Sequence, residues 1–86
     1  MIIDTEKLKV HLQYCAYRLG EHIPAEFDSL FEDEGKFNII IIDSHDTHHK
    51  IPHIYAKNVN DAIQIAIQII KKHLPAIKIK EAYERL

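Results

Sequence analysis

Four consecutive isoleucines lie at the centre of residues 37–43, which read Phe-Asn-Ile-Ile-Ile-Ile-Asp. This stretch is short, rich in β-branched residues and bounded by Gly35 and a polar cluster, so it predicts a β-strand. Alternation divides its apolar side chains between two faces: Phe37, Ile39 and Ile41 on one, Ile40 and Ile42 on the other. Because both faces are apolar, we expect the rest of the chain to be organised around covering this strand.

The residues before this strand predict two helices. Apolar positions at helical spacing mark a helix over 5–19, with an N-cap at Asp4 or Thr5 and a stop at Gly20. A shorter amphipathic pattern predicts a second helix over about 24–33. Acidic residues crowd the carboxyl end of this second helix, where they oppose the helix dipole, so we expect that end to fray.

Residues 50–56 predict a second strand, antiparallel to the first. Because Pro52 has no N–H to donate, this strand belongs at the edge of a sheet. A two-residue turn at 46–47, or a wider loop with the same register, places Ile42 opposite Ile51 and Ile40 opposite His53. This register predicts that His53 faces the core.

The strongest helical pattern covers about 59–74 and ends at Pro75. The tail, 76–86, is ambiguous. Residues 77–80 alternate as in a short strand, whereas the apolar positions from 79 to 86 have helical spacing. We favour a helical end.

These elements predict one α+β domain over residues 1–86, with the order α-α-β-β-α and an antiparallel hairpin covered by helices. A lone hairpin is marginal in water, and the outer edge of its first strand would be apolar and unprotected. We therefore expect a homodimer that pairs two such strands into a four-stranded sheet. The alternative is that the tail, or residues 1–3, covers this edge within one chain.

Composition narrows the class of protein. The 86 residues are 47% hydrophobic and 28% charged, as in a globular domain, and no apolar run approaches the roughly 20 residues of a membrane span. A single cysteine, Cys15, fits a reducing compartment, so we expect a cytoplasmic protein without a membrane association. A net charge of −2 argues against direct binding of nucleic acid.

The acidic segment, residues 21–34, contains six carboxylates and no Lys or Arg. Its carboxylates alternate with aromatic and aliphatic side chains, a composition that can bind a basic protein by charge steering and aromatic anchoring. A solvated amphipathic helix with aromatic residues in the core is the simpler alternative. The candidate partner-binding residues are Glu26, Asp28, Phe31, Glu32, Asp33 and Glu34.

Histidines cluster around the predicted turn, where four of the seven lie between His45 and His53. Imidazoles beside carboxylates suit Zn²⁺ or Ni²⁺, and clustered histidines also respond to pH. Strand alternation tempers this hypothesis, because it sends His45 and His48 to one face and His49 to the other. The spacing matches no standard zinc motif. The candidate metal ligands are His45, Asp46, His48 and His49.

Catalytic residues are not evident, so we expect no enzyme activity. Cys15 lies on the apolar seam of the first helix, and Ser44 and His45 would point to opposite faces of a strand. We expect a non-enzymatic protein-binding factor of the inhibitor, immunity or regulatory type, with a phage or mobile element as a suggested origin. The alternative is a divalent-metal or pH-responsive module built on the histidine-rich turn, with a Zn or Ni ion as cofactor.

Overall fold

The computed structural model describes residues 4–20 and 22–86. Within these residues the chain forms two α-helices, one 3₁₀ helix and a three-stranded antiparallel sheet, so the expected α+β class is confirmed. The helices are α1 (Thr5–Leu19) and α2 (Val59–His73), and the 3₁₀ helix is Ala25–Leu30. The strands are β1 (Gly35–Asp43), β2 (His48–Ala56) and β3 (Ile79–Glu84).

Polar side chains cap the amino-terminal ends of both α-helices. The Asp4 carboxylate accepts the N–H groups of Glu6 and Lys7 at 3.1 and 3.2 Å, and Gly20 ends α1 with a positive φ of 68°. These ends are the predicted ones, because an acid at the N-cap and glycine at the C-cap satisfy otherwise unpaired backbone groups. Asn58 caps α2 in the same way by accepting the N–H of Asp61 at 2.9 Å.

The helix predicted over 24–33 is only the six-residue 3₁₀ helix Ala25–Leu30. Its N-terminus has no side-chain cap, and the acidic residues that follow it oppose the dipole of a longer helix. The short 3₁₀ turn is the form that such a sequence supports.

The sheet places β1 in the middle, in the order β2-β1-β3. The face of β1 that carries Ile39 and Ile41 packs against α2, and both isoleucines are fully buried. On the helix side, Ala62, Ala66 and Ile69 of α2 are also fully buried. Small and branched side chains thus interdigitate between one helix and the sheet to form the core.

The opposite face of β1 has no helix over it within the described residues. Ile40 is nevertheless only 5% exposed, because it lies at the bottom of a shallow cleft between side chains of the strands on either side. This cleft of about 290 Å³ is lined by Lys50, Pro52, Arg85 and Leu86, among others. We expected a further element to cover this face of β1. Side chains of the neighbouring strands bury Ile40 instead.

The tail forms strand β3, so the favoured helical end is wrong. Its backbone pairs with the edge of β1: the Arg85 N–H donates to the Asn38 carbonyl at 2.8 Å, and the Ser44 N–H donates to the Lys78 carbonyl at 2.9 Å. β1 therefore has a strand neighbour on each side. The tail covers its edge within one chain, as the alternative to dimerisation predicted. The predicted pairing of two β1 strands across a homodimer is incompatible with this sheet.

The predicted hairpin register is also wrong. Ile51 lies opposite Ile39, and Ile42 lies opposite His48. The register then shifts at a bulge, where Pro52 and His53 of β2 together oppose Asn38. The edge position that Pro52 predicted for β2 is confirmed.

His53 itself sits in this bulge with a φ of +58°, and its N–H donates to the Asn38 side-chain oxygen at 3.2 Å. It is exposed and does not face the core beside Ile40 as predicted. The bulge turns the side chain away from the face that strict alternation assigns to it.

Candidate functional site

The acidic segment is fixed to the body of the protein by two of its predicted binding residues. Phe31 is 7% exposed, and its ring centroid lies 5.2 Å from that of Tyr55 on β2. Glu34 forms an ion pair with Lys9 of α1, and both side chains are largely buried. The hydrogen bond to Glu34 raises the pKa of Lys9 above its ordinary value. Phe31 and Glu34 therefore anchor the segment within the protein, and their direct contact with a partner stays a prediction.

The other predicted binding residues point into solvent: Glu26, Asp28, Glu32 and Asp33 are all exposed. Glu21, the first acid of the segment, lies outside the described residues. Phe27 and Leu30 are partly buried beneath the carboxylates. The segment thus presents four carboxylates from a short turn whose position is set by contacts with α1 and β2. Such an arrangement creates a negative potential over one side of the molecule.

A cleft of about 290 Å³ separates the end of α1 from the bulge of β2. Its walls combine apolar and polar groups, with Pro52 and His53 on β2 and Tyr17 on α1. His22 and Ile23, at the beginning of the acidic segment, form another wall. The acidic segment therefore contributes directly to the cleft.

Two histidines meet across this cleft. The rings of His22 and His53 pack edge to face, with centroids 6.3 Å apart and planes at 86°. No sequence pattern indicates this pair, because the residues are thirty-one positions apart and His53 lies in the β2 bulge. A cleft with apolar walls and imidazole edges can accept one side chain of a binding partner.

The histidine-rich turn is organised by Asp43, at the end of β1. One of its carboxylate oxygens accepts the N–H groups of His45 and Thr47 at 2.8 and 3.0 Å, and the other lies 2.9 Å from Nε2 of His49. These hydrogen bonds, with the one to His49 the largest cause, hold the pKa of Asp43 below its ordinary value. Asp43 thus closes the loop between β1 and β2.

The predicted metal ligands are spread around this turn. His45 and His48 are exposed, His49 bonds to Asp43, and Asp46 forms an ion pair with Lys80 at 2.7 Å. His48 and His49 lie opposite successive residues of β1, so their side chains leave opposite faces of the sheet. Within residues 4–20 and 22–86, no three His, Cys, Asp or Glu side chains are grouped as metal ligands. Metal binding stays a prediction.

Cys15, predicted to be a core residue, is only partly buried on α1. Its Sγ lies 3.6 Å from Nε2 of His11, one helical turn earlier. This spacing is that of ordinary neighbours on one helix face.

Comparison of the chain with protein families, with curated proteins and with solved structures finds no match. Among the described helices, none is both long enough and apolar enough to cross a membrane.

Proposed function

We propose that this protein is a non-enzymatic factor that binds another, basic protein through the exposed carboxylates of its acidic segment. The observation that carries the proposal is that some residues of this segment anchor it and others are exposed. Phe31 and Glu34 hold it against the protein, while the remaining carboxylates face solvent. The exposed carboxylates are Glu26, Asp28, Glu32 and Asp33.

A fixed acidic surface favours binding in two ways. It steers a positively charged partner into encounter, and it loses little conformational freedom when the complex forms. The neighbouring cleft between His22 and His53 offers a pocket in which one partner side chain could be enclosed, as hot-spot residues usually are.

The class of factor that we propose is a small inhibitor, immunity protein or regulator, of phage or mobile-element origin, acting in the cytoplasm. A single cysteine supports a reducing compartment. An array of carboxylates can occupy the surface with which a basic protein binds its own anionic target, and such competition is one route to inhibition.

Charge reversal within the acidic segment tests the proposal. The protein carrying Glu32→Lys and Asp33→Lys should lose the partner that the parent protein captures from cells of its own host. The matched control is Glu6→Lys with Asp61→Lys, which changes the net charge equally at exposed carboxylates outside the segment. Circular dichroism should show that both variants fold.

Equal capture of the same partner by the parent and both variants would contradict the acidic-surface proposal. Loss of the partner in both variants would indicate a dependence on net charge alone, and would contradict it as well. Capture by the parent protein should also weaken as the salt concentration rises, because salt screens exposed charges.

A second candidate is a metal- or pH-responsive module at the histidine-rich turn, favoured by the bond between Asp43 and His49 beside the exposed His45 and His48. If it binds metal, calorimetric titration with Zn²⁺ or Ni²⁺ should release or absorb heat. This heat should disappear in the double variant His45→Ala, His48→Ala. An absence of heat with the parent protein would contradict the metal hypothesis.

Self-association stays part of the proposal, although β1 is no longer the surface that would carry it. β3 occupies the edge of β1, so a homodimer needs another surface.

A further inference from the structure

The outer edge of β3 is the one long strand edge that the described residues leave uncovered. β3 pairs with β1 on its inner side, and it is the last strand of the sheet. α1 packs on β2 and α2 and therefore does not protect β3. Exposed strand edges carry unpaired backbone donors and acceptors that readily pair with another strand.

Register determines which backbone groups of β3 face outwards. The N–H of Arg85 donates to Asn38 of β1. In an antiparallel pair, alternate residues make these bonds, so Tyr83 and Glu81 also bond towards β1. The N–H and C=O groups of Ala82 and Glu84 consequently point away from the sheet.

Only the beginning of β3 carries features that discourage strand pairing. Lys80 is the extra residue of a bulge, since Glu81 lies opposite Ile42 but Ile79 lies opposite Asp43. Bulges and lysines are common ways to protect an edge. From Glu81 onwards the strand is regular.

The regular part of the edge has the sequence Glu-Ala-Tyr-Glu-Arg over 81–85, which is complementary to itself when reversed. We propose that a second copy of this chain pairs antiparallel with this edge, with the twofold axis at Tyr83. Each Glu81 then lies opposite the partner's Arg85, and each Ala82 opposite the partner's Glu84. The two three-stranded sheets join into one continuous sheet.

Charge selects this register among those that the outward backbone groups permit. The pairing centred on Glu81 places Glu81 opposite the partner's Glu81, and the pairing centred on Glu84 places Glu84 opposite the partner's Glu84. Like charges directly opposite are unfavourable, so the pairings centred on Ala82 and Tyr83 remain. The Ala82-centred pairing would depend on Lys80, which lies in the bulge and already binds Asp46. Pairing centred on Tyr83 avoids both problems.

Tyr83 adds an apolar contact at the axis. Its side chain is 41% exposed and leaves the sheet on the same face as Ile40, which lies opposite it on β1. In the proposed dimer the two Tyr83 residues form a pair without mutual backbone hydrogen bonds, the position in which cross-strand side chains approach most closely. Aromatic pairs in this position stabilise strand pairing.

Sedimentation equilibrium from low micromolar to millimolar concentration tests the proposal on the whole chain. The parent protein should show a monomer–dimer equilibrium. Glu81→Arg and Arg85→Glu, each alone, should raise the dimer dissociation constant by at least about tenfold, because each places like charges opposite one another twice. The double variant Glu81→Arg, Arg85→Glu should restore the dimer, since the pairs re-form with their signs exchanged.

Two further variants separate this edge from other surfaces. Ala82→Pro removes an outward N–H without removing a bond to β1, and should abolish dimerisation while the circular dichroism of the monomer is kept. Glu84→Gln, which changes a carboxylate without a charged partner in this register, should leave the dimer intact.

A parent protein that is monomeric over the whole concentration range would overturn the proposal. So would a dimer that is unchanged by Glu81→Arg and Ala82→Pro, because another surface would then carry the association. Failure of the double variant to restore a dimer that both single variants weaken would refute the Tyr83-centred register. None of these outcomes depends on the acidic segment.

Discussion

The two outer edges of the sheet are protected very differently. On β2, Gln13 of α1 takes the place of a neighbouring strand. Its amide donates to the Tyr55 carbonyl at 3.2 Å and accepts the Tyr55 N–H at 2.7 Å. Pro52 and the bulge beside it interrupt the rest of that edge. On β3, protection stops at the Lys80 bulge, and the backbone beyond it is free within the described part of the chain.

This difference shows that an edge can be closed by a single side chain from another element. Gln13 is 3% exposed, and it is one of only two buried polar residues among those described. A buried amide is costly unless both of its polar atoms are bonded, and here the strand backbone bonds both. A buried polar side chain thus satisfies the backbone at the edge of β2, whereas the edge of β3 is left available for pairing with another strand.

The largest expected effect comes from truncating an inward-facing isoleucine on each of the two edge strands. Ile51 on β2 is fully buried, so Ile51→Ala should lower the free energy of unfolding by about 2–5 kcal/mol. Ile79 on β3 is only partly buried, so Ile79→Ala should cost less than half as much in urea denaturation. Equal costs would mean that β3 is as firmly integrated in the core as β2.

The next largest effect is expected from removing the two hydrogen bonds between the Gln13 side chain and the Tyr55 backbone. Gln13→Leu leaves the N–H and C=O of Tyr55 without partners, and should lower the free energy of unfolding by about 1–3 kcal/mol. It should also accelerate hydrogen exchange of the Tyr55 amide and create a self-association that Glu81→Arg does not relieve. Gln64→Leu on α2, an exposed glutamine, is the matched control. Unchanged exchange at Tyr55 would contradict the sealing role.

The sequence predicted the edge of β2 but not that of β3, for a physical reason. Pro52 alone predicts an edge strand, because a residue without an N–H cannot donate a hydrogen bond to a neighbouring strand. The tail carries strand-like and helix-like spacing at once, and the choice between them is made by the unpaired edge of β1, which is distant in sequence. Gln13 reads as an ordinary polar position of α1, and only the folded structure brings it to Tyr55.

For a similar reason, the sequence located the acidic segment but did not show which of its residues are exposed. Composition alone identified the acidic segment, but it could not separate the exposed Glu32 from the buried anchors Phe31 and Glu34. The hairpin register was missed because alternation assumes an unbroken strand, whereas Asp43 organises a wider loop and Pro52 introduces a bulge. An aspartate at a strand end followed by Ser-His-Asp-Thr is, in retrospect, the signal for the loop, since such carboxylates bond to backbone N–H groups just after them.

The smallest expected effects come from two aspartates of this loop, one bonded towards each edge strand. Asp43 bonds to His49 on β2, whereas Asp46 bonds to Lys80 on β3. Asp46→Asn removes only an exposed charge pair, and asparagine tolerates the positive φ of 60° at this position. We expect it to change the free energy of unfolding by about 0–1 kcal/mol at neutral pH.

Asp43→Asn should cost more at neutral pH, and its cost should depend on pH. The pKa of Asp43 is lowered by folding from an ordinary value of 3.8, so the carboxylate stabilises the fold above that value. This contribution is lost as the pH falls through the lower pKa of the folded state. Urea denaturation between about pH 5 and pH 2 should therefore show the parent protein converging on Asp43→Asn, while Asp46→Asn, which keeps Asp43, should still lose the Asp43 contribution over this range. A constant difference between the parent and Asp43→Asn would mean that geometry, rather than charge, connects the loop to β2, and the contrast between the two edges would then be one of packing alone.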